Sequence, residues 1–201
     1  MLVPCAHGRF GDAMGKSHPA IQRVVDAALR KGVRLEIALF QAPTRTAEQA
    51  AAAVGVRLDQ IVKSLVYVAP RPDGRLVPIV CLVSGSNSVD LGRLAAVTGE
   101  LAVRRATARE AHELTGFPVG GIPPFGHGNQ ARVVMDPDLC PFQVVWAAAG
   151  VDGAIFPVAP AALRILSNAV VAPLAKETGL RAASAITMES GLLFEAGGSA
   201  A

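Results

Sequence analysis

Ile21, Val24, Val25, Ala28 and Leu29 fall at i, i+3, i+4, i+7 and i+8, the apolar stripe of an amphipathic helix. Ser17 is its expected N-cap, Pro19 fits the first turn, and Gly32 closes it. Leu35–Phe40 alternates as a strand does. Thr46-x-x-Gln49 is a capping-box pattern that opens an Ala-rich helix ending at Gly55. Ile61–Val68 and Leu76–Val83 are β-branched runs separated by the turn-forming Pro70–Gly74, which predicts a hairpin. Asp90 caps a short helix through Val97, and Leu101–Arg104 reads as a short strand. Thr107-x-x-Glu110 caps another helix through Leu114. The Gly/Pro-rich Gly116–Gly128 is too long for a simple turn. Val133–Met135, Val144–Ala147 and Ile155–Val158 then read as strands and Pro160–Leu166 as a helix. Past Lys176 the pattern fades into small residues, and a loose tail is expected.

Interspersed strands and helices predict one α/β domain, and the hairpin makes its sheet mixed rather than purely parallel. A chain of 201 residues can bury enough surface to fold without disulfide or metal. Hydrophobic residues at 51% against 17% charged exclude disorder for most of it. With seven Phe, one Trp and one Tyr, the core must rest on Ala, Val, Leu and Ile. Residues 1–16 carry no period, and Met14, just before the first element, is a candidate alternative start. The opening segment lacks a signal-peptide pattern. The most membrane-like window, Val144–Leu163, is broken by Gly150, Gly153, Pro157 and Pro160. Cys5, Cys81 and Cys140 are odd in number and scattered, which suits a reducing cytoplasm. A net charge of +3 leans mildly toward anionic partners.

Familiar catalytic patterns fail. Gly11–Ser17 resembles a phosphate loop, but Phe10 stands where its first glycine belongs. Ser84–Ser88 lacks the nucleophile elbow. His7, His18, His112 and His127 are not at metal-ligand spacings, and no dinucleotide fingerprint follows a strand, so neither metal nor cofactor is expected. Two features remain. Lys63, in VKSLVY, can project a fixed positive charge from an apolar strand, although a lysine at a strand end often only snorkels. In TGFPVGGIPPFGH, residues 115–127, the paired Gly120 and Gly121 can adopt φ > 0 and turn successive N–H groups toward an anion. Pro118, Pro123 and Pro124 stiffen the loop, which otherwise reads as a rigid surface loop.

VKSLVY, GFPVGGIPPFGH, VVMDPDL and VVWAAAGVDGAIFPVAPAALRIL, in this order, resemble the YbaK/EbsC family, whose superfamily includes the editing domain inserted in bacterial prolyl-tRNA synthetases. The resemblance spans residues 17–169, leaving an N-terminal extension of residues 1–16 and a partly loose C-terminal extension of residues 170–201. It implies a mixed, partly barrel-like sheet flanked by helices, and a free-standing enzyme that hydrolyses mischarged aminoacyl-tRNA in the cytoplasm. Lys63 matches the family's active-site lysine, and Gly120 and Gly121 fall in its substrate-binding loop with Gly116, Phe117, Pro118, Ile122, Pro123, Gly126 and His127. The implied partner is the acceptor end of tRNA, with a prolyl-tRNA or other synthetase as a further candidate, and no membrane. Orientation of a water and stabilisation of the oxyanion by loop N–H groups would account for a site without a nucleophilic triad. A non-catalytic RNA-end or nucleotide-binding module and a protein-interaction scaffold are the other classes that fit these residues.

Overall fold

The computed structural model describes residues 18–41 and 44–176. Ser17, Met14 and the near-phosphate-loop lie outside them. Helix α1 (Pro19–Leu29) starts with Pro19, and its N-cap is His18, whose side chain accepts from the Ala20 N–H, where Ser17 had been expected. A two-residue strand β1 (Ala38–Leu39) is all that forms of the expected Leu35–Phe40. Helix α2 (Ala47–Val54) has the complete Thr46/Gln49 capping box, and Gly55 ends it. The hairpin pairs β2 (Val62–Pro70) with β3 (Leu76–Ser84), and Asp90 caps α3 (Leu91–Thr98). Next come β4 (Arg104–Arg105), α4 (Ala108–Thr115), β5 (Arg132–Met135), β6 (Val145–Ala148), β7 (Ala154–Val158), α5 (Pro160–Ser167) and β8 (Val170–Val171). The last strand continues the sheet past Ala169, and Leu174 beyond it is fully buried.

Five strands form one mixed sheet in the order β4-β2-β3-β5-β8, antiparallel through β3 and parallel beyond it. Three form an antiparallel sheet, β1-β7-β6. A single parallel bridge, Ile61 to Trp146, joins the two, so the barrel-like curve stays open. Alternation along β2 and β3 divides the interior. Val62, Val66, Val80 and Leu82 face the larger core, with Phe117, Phe125, Phe156 and the buried residues of α1 and α5. Tyr67, Ala69, Ile79, Cys81 and Val83 face the other way, onto Leu94 of α3 and Leu174.

This topology leaves one edge uncovered. The edge of β2 opposite β3 is held at one end by β4, at Tyr67 and Val68, and at the other by the bridge to β6. Between these attachments, residues 63–65 are paired with no strand on that side among the described residues. The site opens there.

Candidate active site

A cavity of about 460 Å³ lies along that edge. Its walls come from segments far apart in the chain: residues 44–50 ahead of and within α2, residues 61–66 just before and within β2, the start of α4, loop residues Val119, Gly120 and Ile122, and the β6–β7 pair. Most of the side chains are apolar and many are small, including Ala47, Ala50, Ala106, Ala111 and Ala147. Asp152 fixes the rim, accepting from the Thr44 N–H at 2.8 Å and pairing with Arg45 at 2.7 Å.

Lys63 stands at the cavity mouth, half-buried, and its Nζ donates to the Asn87 carbonyl at 2.5 Å. Burial holds its pKa below the usual lysine value, Glu48 works against that, and Arg105 adds to it. Glu48, in the first turn of α2, is itself held low by hydrogen bonds from its own backbone and from Thr46. Lys63 is therefore a cation pinned by a carbonyl. No carboxylate lies within ion-pair distance of it among the described residues.

The loop after α4 splits in two. Gly120 takes φ +92°, and its N–H has no partner among the described residues. Gly121 differs from the sequence expectation. Its φ is not positive, and its N–H donates to the Pro118 carbonyl at 3.0 Å, so it cannot aim at an anion. A side chain is excluded there for another reason: a Cβ would lie 2.8 Å from the Val151 Cα, and the Gly121 carbonyl accepts from Gly150. Of the predicted site residues, Lys63, Gly120 and Ile122 line the cavity together. Gly116, Phe117, Pro118, Gly121, Pro123, Gly126 and His127 do not line it. Gly116 caps α4 and accepts from Arg23, whose guanidinium lies 4.2 Å from the Phe117 ring centroid. Phe117 is fully buried and Pro118 exposed. His127 Nε2 bonds the Pro123 carbonyl at 2.8 Å, and its ring meets Phe117 edge-on.

Ser64, Arg105, Trp146 and the segment Thr44–Glu48 also line the cavity, and sequence reasoning missed them. Ser64 follows Lys63 directly, so its position was the one available signal. The others arrive by strand register and by the Asp152 tether, which leave no local pattern. Cys81 is no nucleophile, since burial pushes its thiol up to about 12. Among the described residues no three His, Cys, Asp or Glu side chains gather as a metal site.

Residues 41–166 match the model of the aminoacyl-tRNA editing domain. The chain is 27% identical to a proposed Cys-tRNA(Pro)/Cys-tRNA(Cys) deacylase, EbsC, of Enterococcus faecalis, covering 61% of this chain and 73% of the relative. It is 28% identical to the multifunctional Ser/Thr-tRNA deacylase ProXp-y of Escherichia coli K12, over 63% and 74%. The crystal structure of a proposed trans-editing enzyme for prolyl-tRNA synthetase superposes with a TM-score of 0.72 at 41% identity, covering 80% of this chain and 99% of that one. The match to the editing-domain model covers well over half the chain, and the protein belongs to the aminoacyl-tRNA editing domain family.

Proposed function

We propose that this protein is a trans-acting aminoacyl-tRNA deacylase, which hydrolyses the ester between an amino acid and the terminal ribose of a mischarged tRNA. The observation that carries the reading is the meeting of Lys63 and the unpartnered Gly120 N–H in one cavity on the open edge of β2. The aminoacyl group enters among the small apolar walls. Its carbonyl points at the Gly120 N–H, and Lys63 lies beside the ribose end. Water attacks the carbonyl carbon, and the charge that develops on oxygen is met by a donor already in place. The tetrahedral intermediate then collapses, the carbon–ribose oxygen bond breaks, and the proton lost by water passes to the ribose oxygen. One such donor contributes about 10²–10³ in rate. The domain that does this takes in residues 17–169 and is completed by β8 and the buried Leu174.

The relatives named for Cys-, Ser- and Thr-tRNA, together with the alanine-rich walls, favour a small aminoacyl group. A separate hydrolytic sieve suits that class, because one methylene is worth only about 1–3 kcal/mol to a synthetase pocket. The structural likeness favours tRNA charged by prolyl-tRNA synthetase as the source, and that synthetase as the enzyme served. The activity belongs in the cytoplasm, where charged tRNA circulates. No helix among the described residues is long and apolar enough to cross a membrane.

The test is a deacylation panel of tRNA charged with Ala, Cys, Ser, Thr and Pro. Release of at least one small amino acid well above the buffer rate is expected, with cognate Pro spared. Protection of the ester without release would make the protein an RNA-end binding module, and no response to any tRNA would make it a scaffold.

A further inference from the structure

A second hollow, of about 400 Å³, adjoins the cavity on the face of β2 that carries Lys63, Leu65 and Tyr67, across from Asn87–Leu91. Lys63, Leu65 and Arg105 line both hollows and form the ridge between them. Strand register decides which arginine of β4 reaches this ridge. Tyr67 opposes Arg105, so Arg105 shares the face of Lys63 and Tyr67, and its guanidinium lies 5.9 Å from the Tyr67 ring centroid. Val68 opposes Arg104, which therefore projects from the other face.

The two neighbours differ in their partners. Arg104 grips Glu110 through two bonds of 2.8 and 2.7 Å. Arg105 makes no ion pair among the described residues, whereas Arg45, the other arginine on the cavity wall, is neutralised by Asp152. Arg105 and Lys63 also repel one another, and Arg105 is one of the causes of the lowered lysine pKa. Holding two like charges on one ridge costs stability unless an anion joins them. A guanidinium fork beside a compact ammonium suits a phosphate, the fork binding two oxygens and the ammonium a third.

We propose that Arg105 and Lys63 together bind a backbone phosphate of RNA in the second hollow, so that the single-stranded 3′ end of the substrate crosses the ridge and delivers its terminal ester into the cavity. Lys176 also lines the second hollow and adds a third positive charge to it. The identity of the anion as RNA rests on the deacylase reading; the phosphate site itself rests on the ridge.

The test uses uncharged RNA, so it reads binding without hydrolysis. A labelled acceptor-stem hairpin ending in single-stranded CCA is titrated by fluorescence anisotropy across a salt series, with melting curves for every variant. Arg105→Ala is expected to weaken binding about tenfold and to reduce the salt slope by about one. Arg105→Lys should recover part of the loss, and Arg104→Ala, an identical change in net charge one residue away, should stay within about twofold of wild type. Removing the CCA end should erase the difference between wild type and Arg105→Ala. Equal weakening by Arg104→Ala and Arg105→Ala would reduce the effect to the general field of the protein and overturn the site, as would full binding by a folded Arg105→Ala. Displacement of the hairpin by AMP at equal concentration would make the hollow a mononucleotide pocket and also overturn it. CCA-dependent binding through Arg105 with no deacylation on the panel would sink the deacylase reading and leave the phosphate site standing. Deacylation with the KM unchanged in Arg105→Ala would do the reverse.

Discussion

Val119, Gly120 and Ile122 line the cavity, whereas residues 123–127, which follow without a break, pack against the body of the protein. Phe125 packs edge-on against Phe156 in the main core, and Gly126 lies so close to α1 that a Cβ there would be 3.5 Å from the Ala27 methyl. The halves also differ in how their polar groups are satisfied. In the bracing part, His127 bonds Pro123, the Gly128 N–H donates to Thr115, and the buried Thr115 hydroxyl bonds the Ala111 carbonyl. On the cavity side, the Gly120 N–H and the Ser64 hydroxyl have no partner among the described residues. Of the two only the Ser64 oxygen is buried, and leaving a buried polar group unpaired costs about 1–3 kcal/mol. Packing into the core and side-chain bonding, more than residue type, separate the supporting part of the loop from the part that faces the cavity.

Gly121 sits at the boundary, and replacing it is the largest perturbation expected. In Gly121→Val the new side chain must displace the Val151 backbone, against which even a Cβ would be 2.8–2.9 Å away. Overpacking of this kind costs about 3 kcal/mol or more, because backbone cannot rotate aside as a side chain can. Chemical denaturation should show a large fall in midpoint together with lost activity. A variant that melts like wild type but is inactive would return Gly121 to the cavity side of the comparison.

Lys63→Ala should act on the opposite side. Single-turnover deacylation is expected to fall about 10²–10³-fold, as when one electrostatic donor is removed. The melting temperature should shift by no more than about 4 °C, since only one net hydrogen bond, to Asn87, is lost. Lys63→Arg should recover part of the rate. Full activity in Lys63→Ala would reduce the residue to a snorkelling side chain.

His127→Gln tests the brace. The neutral Nε2–H tautomer donates to Pro123, and a glutamine amide can do the same, so most of kcat should survive. Burial holds the His127 pKa low, the Pro123 carbonyl opposing this and Arg23 reinforcing it. The folded state therefore takes up a proton less readily than the unfolded chain. The stability this gives is complete above the unfolded imidazole value of about 6.5 and is lost as pH falls through 6.5 toward the lower folded value. Wild type should lose melting temperature between pH 7.5 and 5.5 more steeply than His127→Gln. A large drop in kcat, with a changed pH–rate profile, would instead move His127 into the chemistry.

Much of this architecture was legible in the sequence because the signals were local. The capping boxes at Thr46 and Thr107, the Asp90 cap and the β2–β3 hairpin each depend on residues a few positions apart, and each formed where the pattern placed it. Strand β8 escaped because two exposed valines carry no period, and the parallel pairing that recruits them is long-range. The site was only half legible for the same reason. Lys63 and Gly120 stood out by residue type. The roles of Arg105 and Thr44–Glu48 depend on register and on the Asp152 tether. Two adjacent glycines look alike in sequence, although one is there for its φ and the other for the approach of Val151.

The smallest expected effect has the least usual sign. The Ser64 hydroxyl has no hydrogen-bond partner among the described residues, although it lies on a strand whose backbone is fully paired with β3 on one side. Ser64→Ala removes an oxygen and leaves the Cβ in place, so no cavity larger than one hydroxyl is created and no bond is broken. The unpaired group's desolvation cost disappears with it, and the variant should be more stable than wild type by up to about 1 kcal/mol. For a domain of this size that raises the melting temperature by about 2–4 °C. The mirror-image substitution on the bracing side, Thr115→Val, deletes a buried hydroxyl that does have partners and should lower it. Opposite signs in the two melting curves would show that the Ser64 hydroxyl is unpaired in solution and the Thr115 hydroxyl is not. A loss of stability in Ser64→Ala would mean that its hydroxyl is satisfied in solution.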